Sequence, residues 1–84
     1  MKIKIKNYSK SGYCITPKDA YIIVSRICSK VKRYEFDNYI FVSYEGITKV
    51  SKMFDTELRY MLTKRFKINK SHYHITPILQ HQIL

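Results

Sequence analysis

The sequence has few acidic residues: six Asp and Glu stand against sixteen Lys and Arg, which gives a formal net charge of +10 on 84 residues. Solubility does not require such an excess, and an uncompensated positive field of this size is typical of a protein that holds a polyanion. The shortage of carboxylates therefore favours nucleic acid, or an acidic surface on another protein, as the partner.

Long apolar runs are also absent. No stretch approaches the ~18 residues that a membrane span needs, and the opening segment Met1–Lys6 alternates where a signal peptide would be continuously apolar. We therefore expect a cytoplasmic protein that has no membrane partner.

Cysteine is scarce, because Cys14 and Cys28 are the only two in the chain. Thirteen residues separate them, whereas structural zinc sites usually begin with ligands about two to four residues apart. We expect both to be small core residues in a reducing compartment, and we expect no metal or other cofactor.

The positive charge that is present lies mainly at the two ends of the chain. Residues 1–33 carry nine Lys and Arg and one acid, residues 34–57 carry two Lys and five acids, and residues 58–84 carry five Lys and Arg and no acid. If the two ends meet in space, they form one basic face, which is the charge distribution expected of a protein that binds its partner on one side.

Local patterns predict the first elements of a single domain that covers residues 1–84. Strict alternation over Lys2–Lys6 predicts a strand whose outer side is a row of ammonium groups. Thr16 followed by Pro17 and Asp19 predicts the start of a helix, with Thr16 as the N-cap. Apolar residues recur at three- and four-residue spacing from Ala20 to Val31, which predicts the buried side of that helix.

The second half predicts more strands and a second helix. Residues 39–44 have strong strand composition, with Tyr34–Phe36 as the expected hairpin partner. Apolar residues keep helical spacing from Ile47 to about Phe66, as one long helix or two short ones. Residues 71–76 predict a last strand, which Pro77 ends or confines to an edge.

The resulting order, β-α-β-β-α-β, predicts a small α+β fold of the ferredoxin-like type, with two helices on one face of an antiparallel sheet and the other face open. The open face combines cations for phosphates with flat rings for bases, as single-stranded nucleic acid requires. We therefore predict a nucleic-acid-binding site, and the first helix adds a basic stripe to it. Its phosphate-contacting residues are Lys2, Lys4, Lys6, Arg26, Lys30 and Arg33, and its stacking residues are Tyr39, Phe41 and His74.

Two local motifs suggest other chemistry. His72-Tyr73-His74 has the His-hydrophobe-His pattern that holds a metal beside a catalytic tyrosine, for which Tyr60 is the candidate, but no third ligand is identifiable. Residues 48–66 fit a helix-turn-helix with 56–66 as recognition helix, although no glycine or small residue marks the turn. We predict no enzymatic activity, because no catalytic constellation is complete.

The preferred interpretation is a small, non-enzymatic nucleic-acid-binding protein with an accessory or regulatory role. The alternative is an interaction protein that inhibits or modulates a host protein through its basic face. A single Ala, two Gly and many Ile, Lys and Tyr favour an AT-rich coding genome, such as that of a phage, a mobile element or a low-GC bacterium, and the first two suit this alternative. Apolar residues near the end of the chain, among them Ile83 and Leu84, favour a protein partner or a homodimer.

Overall fold

The computed structural model describes residues 2–31, 40–65 and 73–84. Within them the strands are short and the two helices are of equal length. In chain order the elements are β1 (Lys2–Lys4), β2 (Tyr13–Cys14), α1 (Pro17–Lys30), β3 (Ile40–Ser43), β4 (Lys49–Val50), α2 (Lys52–Arg65) and β5 (Tyr73–Ile75), and 3₁₀ turns span Ile5–Asn7 and Gln80–Gln82.

Both sheets are parallel. The larger sheet has the order β1-β3-β5, in which Ile3 lies opposite Val42, and Val42 lies opposite Ile75. The smaller sheet pairs β2 with β4, and an isolated parallel bridge from Val50 to Ile83 extends it. The prediction of an antiparallel, ferredoxin-like sheet is therefore wrong, and the protein is a small α+β fold with parallel sheets.

The error has a topological cause. A ferredoxin-like sheet needs a hairpin between the two helices to reverse the strand direction, and the segment predicted to supply it, Tyr34–Phe36, lies outside the described residues. The described segment between the helices instead contains β3 and then the two-residue β4, which belongs to the other sheet. The larger strands are thus joined through a helix each time, and such crossovers produce parallel pairing.

Helix α1 begins where the sequence predicts. The Thr16 hydroxyl accepts the N–H of Asp19, and the Asp19 carboxylate accepts the N–H groups of Thr16 and Ile15 at 3.0 and 3.2 Å. These hydrogen bonds satisfy donors that the first helical turn leaves unpaired. They also lower the pKa of Asp19, chiefly through the Thr16 N–H.

Helix α2 begins later than predicted. Ile47 lies in a turn and Val50 lies in β4, and both are buried. The helical spacing of the apolar residues therefore extends into a segment that is not helical. The helix is capped by Ser51, whose hydroxyl accepts the Phe54 N–H and donates to the Ile15 carbonyl. The helix-turn-helix prediction is wrong, because its first helix does not exist.

Helices α1 and α2 pack on each other and against one face of the larger sheet. The core joins the sheet residues Ile3, Val42 and Ile75 to helix residues such as Val24 and Leu58. Cys14 is buried and Cys28 is half-buried against the core. No described helix is long and apolar enough to cross a membrane.

The C-terminal segment is fastened to the fold by Gln82, whose side chain is only 2% exposed. Its amide group donates to the carbonyls of Tyr44 and Ile47 at 2.8 and 2.9 Å, and its side-chain oxygen accepts the Leu79 N–H. The Leu84 N–H also donates to the Val50 carbonyl. These bonds hold residues 79–84 against the turn that links β3 to β4.

Candidate nucleic-acid interface

The sheet face that points away from the helices carries a row of three predicted site residues. Lys2, Phe41 and His74 lie opposite one another on β1, β3 and β5. Lys2 and His74 are exposed and Phe41 is partly exposed. The Phe41 and His74 rings pack with their centroids 5.1 Å apart and their planes at 35°. This Lys2–Phe41–His74 row places a cation at the edge of an aromatic surface.

A second row lies two residues further along the strands. Lys4 lies opposite Ser43, and side chains alternate along a strand, so both share the face of the first row. Lys4 is exposed, whereas Ser43 is only 5% exposed. Beyond β5, the Thr76 N–H continues the ladder by donating to the Val42 carbonyl, and the Thr76 hydroxyl accepts the Tyr44 N–H.

Lys6 follows β1 in a 3₁₀ turn and not in the strand that was predicted. Its side chain lies over Gly46, where a built Cβ would come within 2.6 Å of the Lys6 Cδ and 3.3 Å of its Nζ. Gly46 has a φ of 84°, which glycine adopts readily and other residues rarely do. The missing side chain therefore allows Lys6 to lie across the β3–β4 turn.

The predicted residues of α1 form a second group around Tyr8. The Arg26 guanidinium donates to the Tyr8 carbonyl at 2.7 Å, and the Lys30 Nζ lies 5.9 Å from the centre of the Tyr8 ring. Arg26 also lines a small cavity with Lys10. This group belongs to the helix layer, so the structure separates it from the lysines of the open sheet face.

The remaining predictions fall outside the described residues. Arg33 and Tyr39 lie there, as does His72 of the His-hydrophobe-His motif. Among the residues that are described, no three His, Cys, Asp or Glu side chains converge to hold a metal ion.

Most of the described charges have no partner of opposite sign. Within residues 2–31, 40–65 and 73–84, the ion pair present joins the Arg59 Nε to the Asp55 carboxylate at 2.9 Å, on one face of α2. Asp55 also accepts the hydroxyl of buried Tyr44 at 2.6 Å. Burial and this hydrogen bond hold the pKa of Tyr44 well above its ordinary value. The lysines of the open face keep uncompensated charges, because the described acids do not pair with them.

Sequence reasoning missed a cleft of about 370 Å³ at the carboxyl ends of β3 and β5. It lies beside the second row of the open face. Its lining residues are Ser43, Tyr44, Glu45, Gly46, Thr76, Pro77, Leu79, His81 and Gln82. Gly46 after a strong strand was the available signal for a turn there. The sequence of the C-terminal wall, residues 79–82, gave no comparable signal, because the position of this wall depends on the long-range contacts of Gln82.

Comparison of the chain with protein-family models, with curated proteins and with solved structures finds no match.

Proposed function

We propose that the protein is a non-enzymatic, cytoplasmic nucleic-acid-binding protein with an accessory or regulatory role, and that it binds single-stranded or unpaired segments on the open sheet face. The observation that carries this proposal is the Lys2–Phe41–His74 row. It combines a ring surface that can stack on a base with a cation that can neutralise a phosphate.

The architecture supports the same proposal. All-parallel sheets are usually covered on both faces, whereas here both helices of the described residues pack on the same face. The open face is not apolar in the way that a protein core or a membrane contact would be, because Lys2 and Lys4 line its edge at β1. A polyanionic partner with flat bases fits both the charge and the rings of this face.

The number of phosphates bound distinguishes two forms of the interface. If a single strand contacts only Lys2, Lys4 and Lys6, affinity falls about 20-fold between about 50 and 200 mM salt. If the strand also contacts Arg26, Lys30 and Arg33, the fall is about 300-fold on the same relation. Because the structure places the α1 group on the helix layer, we expect the smaller value.

The test is fluorescence anisotropy with a labelled single-stranded oligonucleotide across a salt series. Phe41→Leu keeps an apolar side chain but removes the ring, and we expect about tenfold weaker binding with an unchanged salt slope. Lys2→Gln should lower the slope by about 0.7. Tyr60→Leu, at an exposed position of α2, is the control and should bind as the wild type does. Equal binding by the Phe41 and Tyr60 variants would contradict the proposal.

One observation favours the alternative function, an interaction protein that binds a host protein. The outer groove between α1 and α2 is lined by Tyr21, Tyr60, Met61 and Lys64, and the two tyrosines are 55% and 54% exposed. Tyrosine and methionine are enriched at protein interfaces. Binding to an acidic protein that Tyr60→Leu weakens and Phe41→Leu leaves intact would support this second function.

A further inference from the structure

The cleft at the carboxyl ends of β3 and β5 contains two hydroxyl groups, those of Ser43 and Thr76. The Ser43 hydroxyl accepts the Glu45 N–H at 3.1 Å, and the Thr76 hydroxyl accepts the Tyr44 N–H at 3.1 Å. Across the described part of the chain, neither hydroxyl donates to a protein acceptor. A hydroxyl carries one donor besides its acceptor sites, so the cleft offers two O–H donors to whatever occupies it.

Cations border these hydroxyls. Lys4 lies opposite Ser43 on the neighbouring strand, and the Lys6 side chain crosses Gly46 at the rim. The Glu45 carboxylate and the His81 ring also line the cleft. Glu45 is exposed to solvent, as are Lys4 and Lys6, so solvent screens all three charges and the lysines leave a net positive charge of one. Two lysines and two hydroxyl donors favour an oxyanion over a cation as the occupant.

The position of the cleft suits a ligand site. In open α/β sheets, ligands bind outside the carboxyl ends of the strands at the point where the strand order reverses. The sheet β1-β3-β5 has no such reversal, so it shares with those sites only the position at the carboxyl ends. A volume of about 370 Å³ is within the usual range for small-molecule sites, and the walls formed by Pro77 and Leu79 are largely apolar.

We propose that this cleft is the phosphate subsite of the open face and holds a nucleotide phosphate on Ser43, Thr76 and Lys6 while the base stacks on Phe41 and His74. Ser43 is two residues beyond Phe41 on β3, which is a separation of about 6.6 Å. That separation is similar to the distance between a base and the phosphate of the same nucleotide. The inference rests on the proposed function, because it assigns the other half of the same nucleotide.

The test is NMR titration of the ¹⁵N-labelled protein with adenosine 5′-monophosphate, adenosine and inorganic phosphate. The monophosphate and inorganic phosphate should shift the amide signals of Tyr44, Glu45, Gly46 and Thr76. Adenosine should shift those of Phe41 and His74 and leave the cleft signals unchanged. This pattern would separate phosphate binding from base stacking.

Two variants with matched controls probe the contacts. Ser43→Ala should weaken monophosphate binding about tenfold, since a hydrogen bond to a charged acceptor is lost. Ser29→Ala, which removes an exposed hydroxyl from α1, should leave monophosphate binding unchanged. Lys6→Gln should also weaken binding, and Lys18→Gln, at another exposed lysine, should not.

The possible results separate this inference from the proposed function. If the oligonucleotide binds in a Phe41-dependent manner but Ser43→Ala and Ser29→Ala bind the monophosphate equally well, the subsite is overturned and the function stands. If no oligonucleotide binds but phosphate and the monophosphate shift the cleft signals, the subsite stands and the function is wrong. If neither probe shifts the cleft signals at millimolar concentration, the subsite is overturned.

Discussion

Gln82 provides a sharp test of how the fold is held together, because its buried side chain makes three hydrogen bonds to main-chain groups. In Gln82→Met, a side chain of similar length replaces it, so the space stays filled while the carbonyls of Tyr44 and Ile47 lose their donor. Each buried polar group left without a partner costs about 1–3 kcal/mol. We therefore expect a loss of about 3 kcal/mol in the free energy of unfolding.

That loss is large relative to the whole protein. A domain of this size has a stability of about 4–13 kcal/mol at the usual value per residue. Urea unfolding followed by circular dichroism measures the change, and with a slope of about 1.5 kcal/mol/M the midpoint should fall by about 2 M. Gln80→Met is the control, since Gln80 lies in the same 3₁₀ turn but is exposed.

The control variant should stay within about 0.5 kcal/mol of the wild type, as is usual for exposed positions. If Gln82→Met and Gln80→Met unfold at the same urea concentration, the segment 79–84 does not contribute to stability through these bonds. The assignment of Gln82 as the fastening residue would then be wrong.

Two further predictions concern titrating groups. The hydrogen bonds at the start of α1 lower the pKa of Asp19 in the folded state, so they add stability above the pKa that Asp19 has in the unfolded chain, and this stability is lost as the pH falls through the folded pKa. Urea midpoints measured between neutral and acid pH should therefore decline less steeply for Asp19→Asn than for the wild type. Parallel declines would contradict the capping role of Asp19. Burial raises the pKa of the Cys14 thiol to about 11, whereas Cys28 is half-buried. A thiol reagent near pH 8 should therefore label Cys28 well before Cys14 in the folded protein, and it should label both at similar rates in urea. Equal labelling rates in the folded protein would show that Cys14 is accessible.

Local chemistry in the sequence was sufficient for α1 and for the faces of the strands. Thr16, Pro17 and Asp19 specify a helix start with groups that lie within four residues of one another, so no distant contact is needed. The alternation over Lys2–Lys6 likewise separated the exposed lysines of β1 from Ile3, which is buried. The predicted exposure of Lys2, Lys4 and His74 is confirmed for the same reason, while their role in binding stays a prediction.

Strand direction was not predictable by the same reasoning. A two-residue strand such as β2 or β4 is too short to show an alternating pattern, and its pairing depends on residues far away in the chain. Ile47 and Val50 fit the helical spacing that continues to Phe54, yet the cap at Ser51 starts the helix after them. The cleft was missed for a related reason, because its walls come from segments that only the folded chain brings together.

The parallel ladders also require pairing between distant parts of the chain. In every paired position of the two sheets, the partners are more than thirty residues apart in the chain. No described strand can form a hairpin with its neighbour in sequence, so loop-closure entropy must be overcome before any ladder bond forms. Among the described elements, the two helices and the two 3₁₀ turns are stabilised by local hydrogen bonds. Pairing of this kind favours slow folding, because distant segments must meet before the strands can form their hydrogen bonds.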